Sequence, residues 1–421
     1  MPASLTLDAL KKLVAGDAVA IRGTATLQPA GGAGDKVFPP SHSVDKNARE
    51  AGAKYAFETR RVDGRDEACV LLDSVQSQAN RMEEALQALW GDKLIALPVI
   101  AVDFSKVAAD VGIVTSLSAP HRIADALLRD SLNEGTLFRL STVGKSFTDA
   151  TPRNAAPLFK VCPTGLLFGL WDSTGPKGGL GSKFARVLVS EIVGMGAVAG
   201  AKTSSRIDPA GIVTRAAEIL AAADPSERWT HDPAMARQER GKPVKLGDGK
   251  VSEVNHSNIP PTIDTLAGGV TIDRASHTVV LSLAALRRLS FSKDHAGDLE
   301  ARTVIAALGL LAVLAAESRG HDLRSRCLLV PMEGHALSLE SMRGDGTREA
   351  LSLDLAQAVA LFNAAVAALP EALRFTRTEG DRTVPLEPGV PLATLTPSPK
   401  LAHLVQKSRE LAALGADVEA E

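Results

Sequence analysis

Between Leu71 and Trp90 the chain reads LLDSVQSQANRMEEALQALW, and five of these residues could hold an anion. Gln76, Ser77, Gln78 and Asn80 are neutral hydrogen-bonding side chains, and Arg81 adds a guanidinium. They fall in the first turns of a helix, because Val75, Ala79, Met82, Leu86 and Leu89 recur at the spacing of one apolar face. Asp73 or Ser74 offers the cap, and Asp73 with Gln76 approaches a capping box. A helix start presents free backbone N–H groups and a positive dipole end, which together suit phosphate. The same pattern also fits a plain solvated helix start.

A second group lies between 139 and 206. Nine basic residues (Arg139, Lys145, Arg153, Lys160, Lys177, Lys183, Arg186, Lys202, Arg206) meet three acids, Asp149, Asp172 and Glu191. Against a net charge of −2 for 421 residues, this is a local cationic patch of the kind a polyanion needs. Its run GPKGGLGSK has the composition of a phosphate-cradling loop, but a P-loop requires G-x-x-x-x-G-K-[ST], and here Ser182 precedes Lys183. Gly144-Lys145-Ser146 would need glycine at 139, where Arg139 stands. Nucleotide hydrolysis is not expected. The loop's amides with Lys177, Lys183 and Arg186 can still hold phosphates of a polymer.

Other chemistries find little support. The nine histidines form neither HExxH nor a cluster at metal-ligand spacing, so no metal or other cofactor is expected. His121, between Pro120 and Arg122, is more in keeping with a hydrogen-bond donor than a catalytic base. No GxSxG elbow is present, and Glu83-Glu84 read as solvated residues of a helix surface. The three cysteines, Cys69, Cys162 and Cys327, are far apart and without a CxxC, which suits a reducing cytoplasm. Aromatic residues make up only 4%, so an RRM with stacking aromatics is not evident. Nucleic acid would be held through phosphates, backbone amides and 2′-hydroxyls, with Trp171 among the few wedges for a base.

These residues need elements to position them. A helix is expected at 5–14, a strand at 17–29 with Gly23 marking a bulge or close approach, and a hairpin at 54–72 turning at Asp63-Gly64. An apolar strand follows at 94–104, a helix from Ser118 to about Leu132, and a strand at 135–142. Helices are expected from near Ser182 and from Pro209 to about Ala223. Residues 224–268 carry little periodicity and read as an inserted arm. Beyond Gly268-Gly269 come a hairpin in VTIDRASHTVVLSL, a helix at 299–319, strands at 326–332 and 336–340, and a helix at 352–369. The apolar run Val304–Ala316 is short for a bilayer span and reads as a buried helix, and the N-terminus lacks a signal-peptide core. No membrane association is expected.

Seven blocks in consistent order carry a family resemblance: GDKVFPP, LLDSVQSQANRMEEAL, SAPHRIADALLRDS, LLFGLWDSTGPKGGLGSKFARVLVSEIVG, SSRIDPAGI, NHSNIPP and GGVTID…VVLSLAALRRLSF. Together they resemble the CRISPR-associated RAMP backbone subunit of type I-G (formerly I-U) Cascade, from about residue 17 to 375. The resemblance implies an α+β fold: a modified RRM, ferredoxin-like palm with inserted finger and thumb regions. The palm's first part with finger insertions would occupy 1–223, a thumb-like arm 224–268, the palm's second part 269–383 and a tail 384–421. It also implies a non-catalytic subunit that binds CRISPR RNA, lines up head to tail with further copies, and presents the guide for pairing with target DNA. The other partners would be a guide-end-capping and maturation subunit and a helicase-nuclease. Carried onto the matching blocks, RNA contacts are expected from Lys36, Gln76, Ser77, Gln78, Asn80, Arg81, His121, Arg122, Lys145, Trp171, Lys177, Lys183, Arg186, Ser204, Ser205, Arg206, Asn255 and His256. Two alternatives stand beside it. One is a metal-dependent RAMP-type endoribonuclease, for which Asp73 is the acid nearest the proposed RNA surface. The other is an enzyme binding a small phosphate ligand at 175–186.

Overall fold

From Ala18 to Pro29 buried positions recur along one extended strand, β1, which buries Ile21, Ala25 and Leu27. It is the centre of a nine-stranded sheet in a computed structural model that describes residues 4–44, 47–174, 182–224 and 226–413. The remaining strands are β2 (Phe57–Val62), β3 (Arg65–Asp73), β4 (Leu188–Met195), β5 (Arg274–Ser282), β6 (His321–Asp322), β7 (Leu328–Pro331), β8 (Ser338–Arg343) and β9 (Arg348–Leu351). Their order is β2-β3-β4-β5-β1-β7-β6, with β8 beside the first half of β1 and β9 beyond it. Neighbours are antiparallel throughout. Hence β1 and β4 run parallel with β5 between them, and β5 and β7 run parallel with β1 between them.

Helices α1 (Leu7–Ala15), α2 (Val75–Gly91) and α4 (Leu355–Ala367) all pack on the long helix α3 (Asp298–Ser318). In sequence α2 lies between β1 and β4, and α3 between β5 and β7. The two helices pack on each other and on β4 and β5, so they cover one face. Gly309 lets α3 sit close: a Cβ there would lie 3.1 Å from Leu167 and 3.3 Å from Leu281 of β5. By length and composition α3 could cross a membrane, but its most apolar window is largely buried in the fold, as in a core helix. The result is a mixed α+β architecture, and the three cysteines are free and buried. A smaller sheet joins Ile113–Thr115, Ile100–Asp103, Ala393–Pro397, Ser131–Asn133 and Thr136–Leu137.

Several elements follow expectation. The β2–β3 hairpin turns at Asp63 and Gly64, both at positive φ (48° and 78°), as a tight two-residue turn demands. Gly23 lies between close side chains, with Leu337, Leu339 and Val279 within 3.3 Å of where a Cβ would stand. The bulge itself falls at Ala18–Ala20.

Other elements differ. The helix expected from Ser182 is instead a short strand and then β4, where branched residues with a buried Ser190 favour the pleated form. The helix expected from Ser118 breaks at Arg122, which takes a left-handed φ of 53°, and Asp125 caps a new short helix, Ala126–Arg129. Of the strand expected at 135–142 only Thr136–Leu137 is extended; Phe138–Leu140 is a helical turn, and Ser141 caps Thr142–Thr148. Val270–Thr271 does not pair with β5, which instead bonds β1 and β4.

The chain separates into two compact units. The first comprises Met1–His42, Tyr55–Val198 and Val270–Leu401, and the second Ser43–Lys54, Ala199–Gly269 and Ala402–Glu421. The second unit is built of short pairings. Lys202–Arg206 bonds Ile259–Asp264, Leu220–Ala221 bonds Trp229–Thr230, and Gln238–Glu239 bonds Lys242–Pro243. The helix expected from Pro209 is absent. The buried Asp208 accepts from the amides of Ala210 and Ser257, and Gly211 turns left-handed at φ 67°, fixing a turn where a helix would start.

Candidate nucleic-acid interface

The start of α2 sorts its polar residues by position. Ser74 is the N-cap, accepting from the Ser77 amide at 3.2 Å. Asp73 is not the cap. It is fully buried at the end of β3, and its carboxylate accepts from Gln78 at 2.7 Å, Arg81 at 2.9 Å and Arg324 at 3.2 Å. Gln78 is buried too, and takes the Ser190 hydroxyl on its other end at 2.9 Å. Arg81 also donates to the Leu323 carbonyl. So one turn spends Gln78 and Arg81 inside the fold, while Gln76 and Asn80 point outward and are exposed. Ser77 is half-buried.

Gln76 and Asn80 border a cavity of about 800 Å³ together with His121, Trp171, Lys183 and Arg186. Four separate segments thus converge. Trp171 and Lys183 pair on the two-stranded ribbon Leu170–Trp171 with Lys183–Phe184. The Lys183 ammonium stands 5.3 Å from the exposed Trp171 ring centre. Arg186 donates to the Val75 carbonyl at 3.3 Å. Burial, and then the nearby Arg122 cation, push its guanidinium below the usual range. Gly169, at φ 87°, lets this chain turn against Arg186, whose Cγ would be 2.9 Å from a Cβ.

Arg122 borders the same cavity, but its side chain is buried. It forms a two-pronged ion pair with Glu83 at 2.6 and 2.7 Å and donates to the Gly169 carbonyl at 3.2 Å. Glu83 is 1% exposed, so it is no solvated surface acid. Burial pushes its carboxyl up, to about 7, while Arg122 pulls it down. The pair braces α2 against the segment that carries Gly169.

Of the other expected residues in the first unit, Lys145 and Lys36 do not line this cavity. Lys145 is exposed on the short helix Thr142–Thr148, and Lys36 is half-buried with its amide bonded to Asp35. Lys177 and the glycine-rich loop 175–181 lie outside the described residues. In the second unit, Ser204 and Ser205 are exposed on the strand Lys202–Arg206, and Ser204 bonds Thr262 at 2.9 Å. Arg206 donates to the Ser257 carbonyl at 3.1 and 2.8 Å. Asn255 adopts a left-handed φ of 58°, and His256 sits 3.5 Å from Asp208.

Sequence reasoning missed three partners. Glu83 and Ser190 gave no signal, since each looks like an ordinary helix or strand residue. The cluster of His277, Glu317 and His321, whose ligand atoms lie within 4.8 Å of one another, left one trace: Glu317 and His321 are four apart.

The family model described as CRISPR-associated protein GSU0053 matches residues 21–199, a span that includes every residue of the cavity. No curated protein matches the chain.

Proposed function

We propose that the chain is a CRISPR-associated protein, a non-catalytic, guide-RNA-binding backbone subunit of a type I-G Cascade, a reading that the family-model match over residues 21–199 supports. The observation that carries this reading is the cavity of about 800 Å³ where Gln76, Asn80, Trp171, Lys183 and Arg186 converge. It offers amides and cations for phosphates beside one exposed aromatic ring for a base, the combination that holds single strands without reading sequence.

The strand order supports a ferredoxin-like palm. Two strand–helix–strand crossovers interleave, one through α2 and one through α3, in the manner of a modified RRM. The segment 224–268 is read as the thumb-like arm, and copies would follow the RNA head to tail through two different surfaces. The complex would act in the cytoplasm, with target DNA paired to the guide and other subunits capping it and cutting the target.

Asp73 has both carboxylate oxygens engaged by Gln78, Arg81 and Arg324, which weighs against its holding a cleaving metal ion. The test is purified protein mixed with labelled single-stranded RNA, with and without Mg²⁺. Retention with intact RNA supports a scaffold. Mg²⁺-dependent cleavage abolished by Asp73→Asn would replace it with an endoribonuclease, and absence of retention would remove the RNA reading altogether.

A further inference from the structure

The geometry points to a transition-metal site, of the class zinc occupies, formed by His277 on β5, Glu317 at the end of α3 and His321 on β6. His277 Nδ1 lies 3.1 Å from Glu317 Oε1, and His321 Nε2 lies 3.4 Å from Glu317 Oε2. Zinc bonds to imidazole nitrogen at about 2.0–2.1 Å, so tetrahedral ligand atoms stand about 3.3 Å apart. The two spacings, each to a different oxygen of the Glu317 carboxylate, lie on either side of that value, and the three ligand atoms all lie within 4.8 Å of one another. Two imidazoles with one carboxylate suit zinc and its neighbours in the first transition row, and not calcium or magnesium.

The protonation of His277 follows from its neighbours. Asp73 can only accept, so the Gln78 amide nitrogen faces it and the Gln78 oxygen faces Ser190. The one Ser190 proton goes to that oxygen. Ser190 must therefore accept from His277 Nε2, 2.9 Å away. A neutral His277 then carries its proton on Nε2 and turns the Nδ1 lone pair toward Glu317. That nitrogen is buried, in a residue 2% exposed, and has no aligned hydrogen-bond partner although the carboxylate is close. A lone pair facing a carboxylate is repulsive unless a cation lies between them. A metal-bound imidazole whose second nitrogen donates to a fixed acceptor is the arrangement that orients such ligands.

The three residues edge a cavity of about 260 Å³, which leaves room for water as the fourth ligand. Cations near it are already held: Arg81 by Asp73, and Arg319 by the Glu84 carbonyl at 3.2 Å. The metal would fasten the end of α3 to two strands of the sheet. It belongs to no part of the proposed RNA cavity, so it stands or falls independently of the function above.

The full chain, stripped with a chelator, is titrated with Zn²⁺ by calorimetry and with Co²⁺ by visible absorption. The expected result is one ion per chain and the intense bands of four-coordinate Co²⁺. His321→Gln and Glu317→Gln, checked for folding by circular dichroism, should weaken Zn²⁺ at least tenfold. Absence of saturable uptake by the folded wild type overturns the site, as does an affinity unchanged in both variants. If neither variant folds, the wild type decides through its Co²⁺ spectrum: weak, six-coordinate bands count against the site. An NMR spectrum with both His277 nitrogens protonated in the presence of Zn²⁺ would replace the metal by an imidazolium–carboxylate pair.

Discussion

Removing Lys183 should change how RNA binding responds to salt, while removing Trp171 should change affinity at every salt. The Lys183 ammonium lies 5.3 Å from the Trp171 ring centre at the border of the cavity. If it neutralises one phosphate of a single strand, Lys183→Ala lowers the slope of log affinity against log salt by about 0.7. Across a fourfold rise in salt, the wild type then loses about 2.6 times more affinity than the variant. Trp171→Ala removes one stacked base, a loss of about 1–3 kcal/mol or about 5- to 150-fold, with the slope intact. The cation over the ring adds a coupling of about 0.5–1 kcal/mol, so the double variant should fall short of the sum by that amount. Fluorescence anisotropy with labelled single-stranded RNA at several salt concentrations measures all of this. Parallel salt lines for Lys183→Ala, or an unchanged affinity for Trp171→Ala, would refute the reasoning.

Arg122→Met should destabilise the fold more as pH rises. The Glu83 pKa in the fold, about 7, lies above its ordinary 4.5, so stability falls as pH rises between those values. Without Arg122 the folded pKa moves higher still, and above neutrality the penalty should grow by up to about 1.4 kcal/mol per pH unit. Urea unfolding of both proteins at several pH values measures it, and an equal penalty on both sides of neutrality contradicts the account. Asp73→Asn should lower stability by less than the ~3–5 kcal/mol of a fully buried pair, because the Arg81 and Arg324 side chains it leaves without a carboxylate remain 31% and 26% exposed. In the same denaturation experiment Arg81→Ala should lower stability before it touches RNA affinity. Native mass spectrometry on guides of increasing length should show protein mass rising in equal steps, and a mass fixed at one chain per RNA would exclude the row.

The sheet was legible wherever one face is buried, because alternation and turn residues act locally. β1 and the β2–β3 hairpin are of this kind, and α3 reads from its unbroken apolar content. The helix at 182 was misread because β4 joins Val189, Ile192 and Val193 to a buried serine, and a composition that mixed does not settle the period. The helices at 118 and 209 failed for another reason. Arg122 sits in a left-handed conformation that its buried ion pair with Glu83 offsets, and near 209 the buried Asp208, held by the distant Ser257 amide, fixes a turn that Gly211 continues at positive φ. The α2 start shows the limit for sites. Its polar set was visible, but which side chains face outward depends on Asp73, Ser190 and Arg324, which are far away in sequence or look unremarkable. The cavity could be assembled residue by residue from separate blocks, but their convergence could not be read from any one of them.

The relay from Asp73 through Gln78 and Ser190 to His277 has a direction, since each member donates toward the carboxylate. Chemically similar replacements are therefore not interchangeable along it. Glutamate at 78 would face Asp73 with a second anion, and alanine at 190 would leave the Gln78 oxygen and the His277 Nε2–H without partners. Divergence among related chains would then have to pass through combinations, with positions 73, 78, 190 and 277 drifting as a set while the exposed Gln76 and Asn80 one turn away drift singly. The inheritance of this corner of the molecule is a property of four residues on three strands and a helix, taken together.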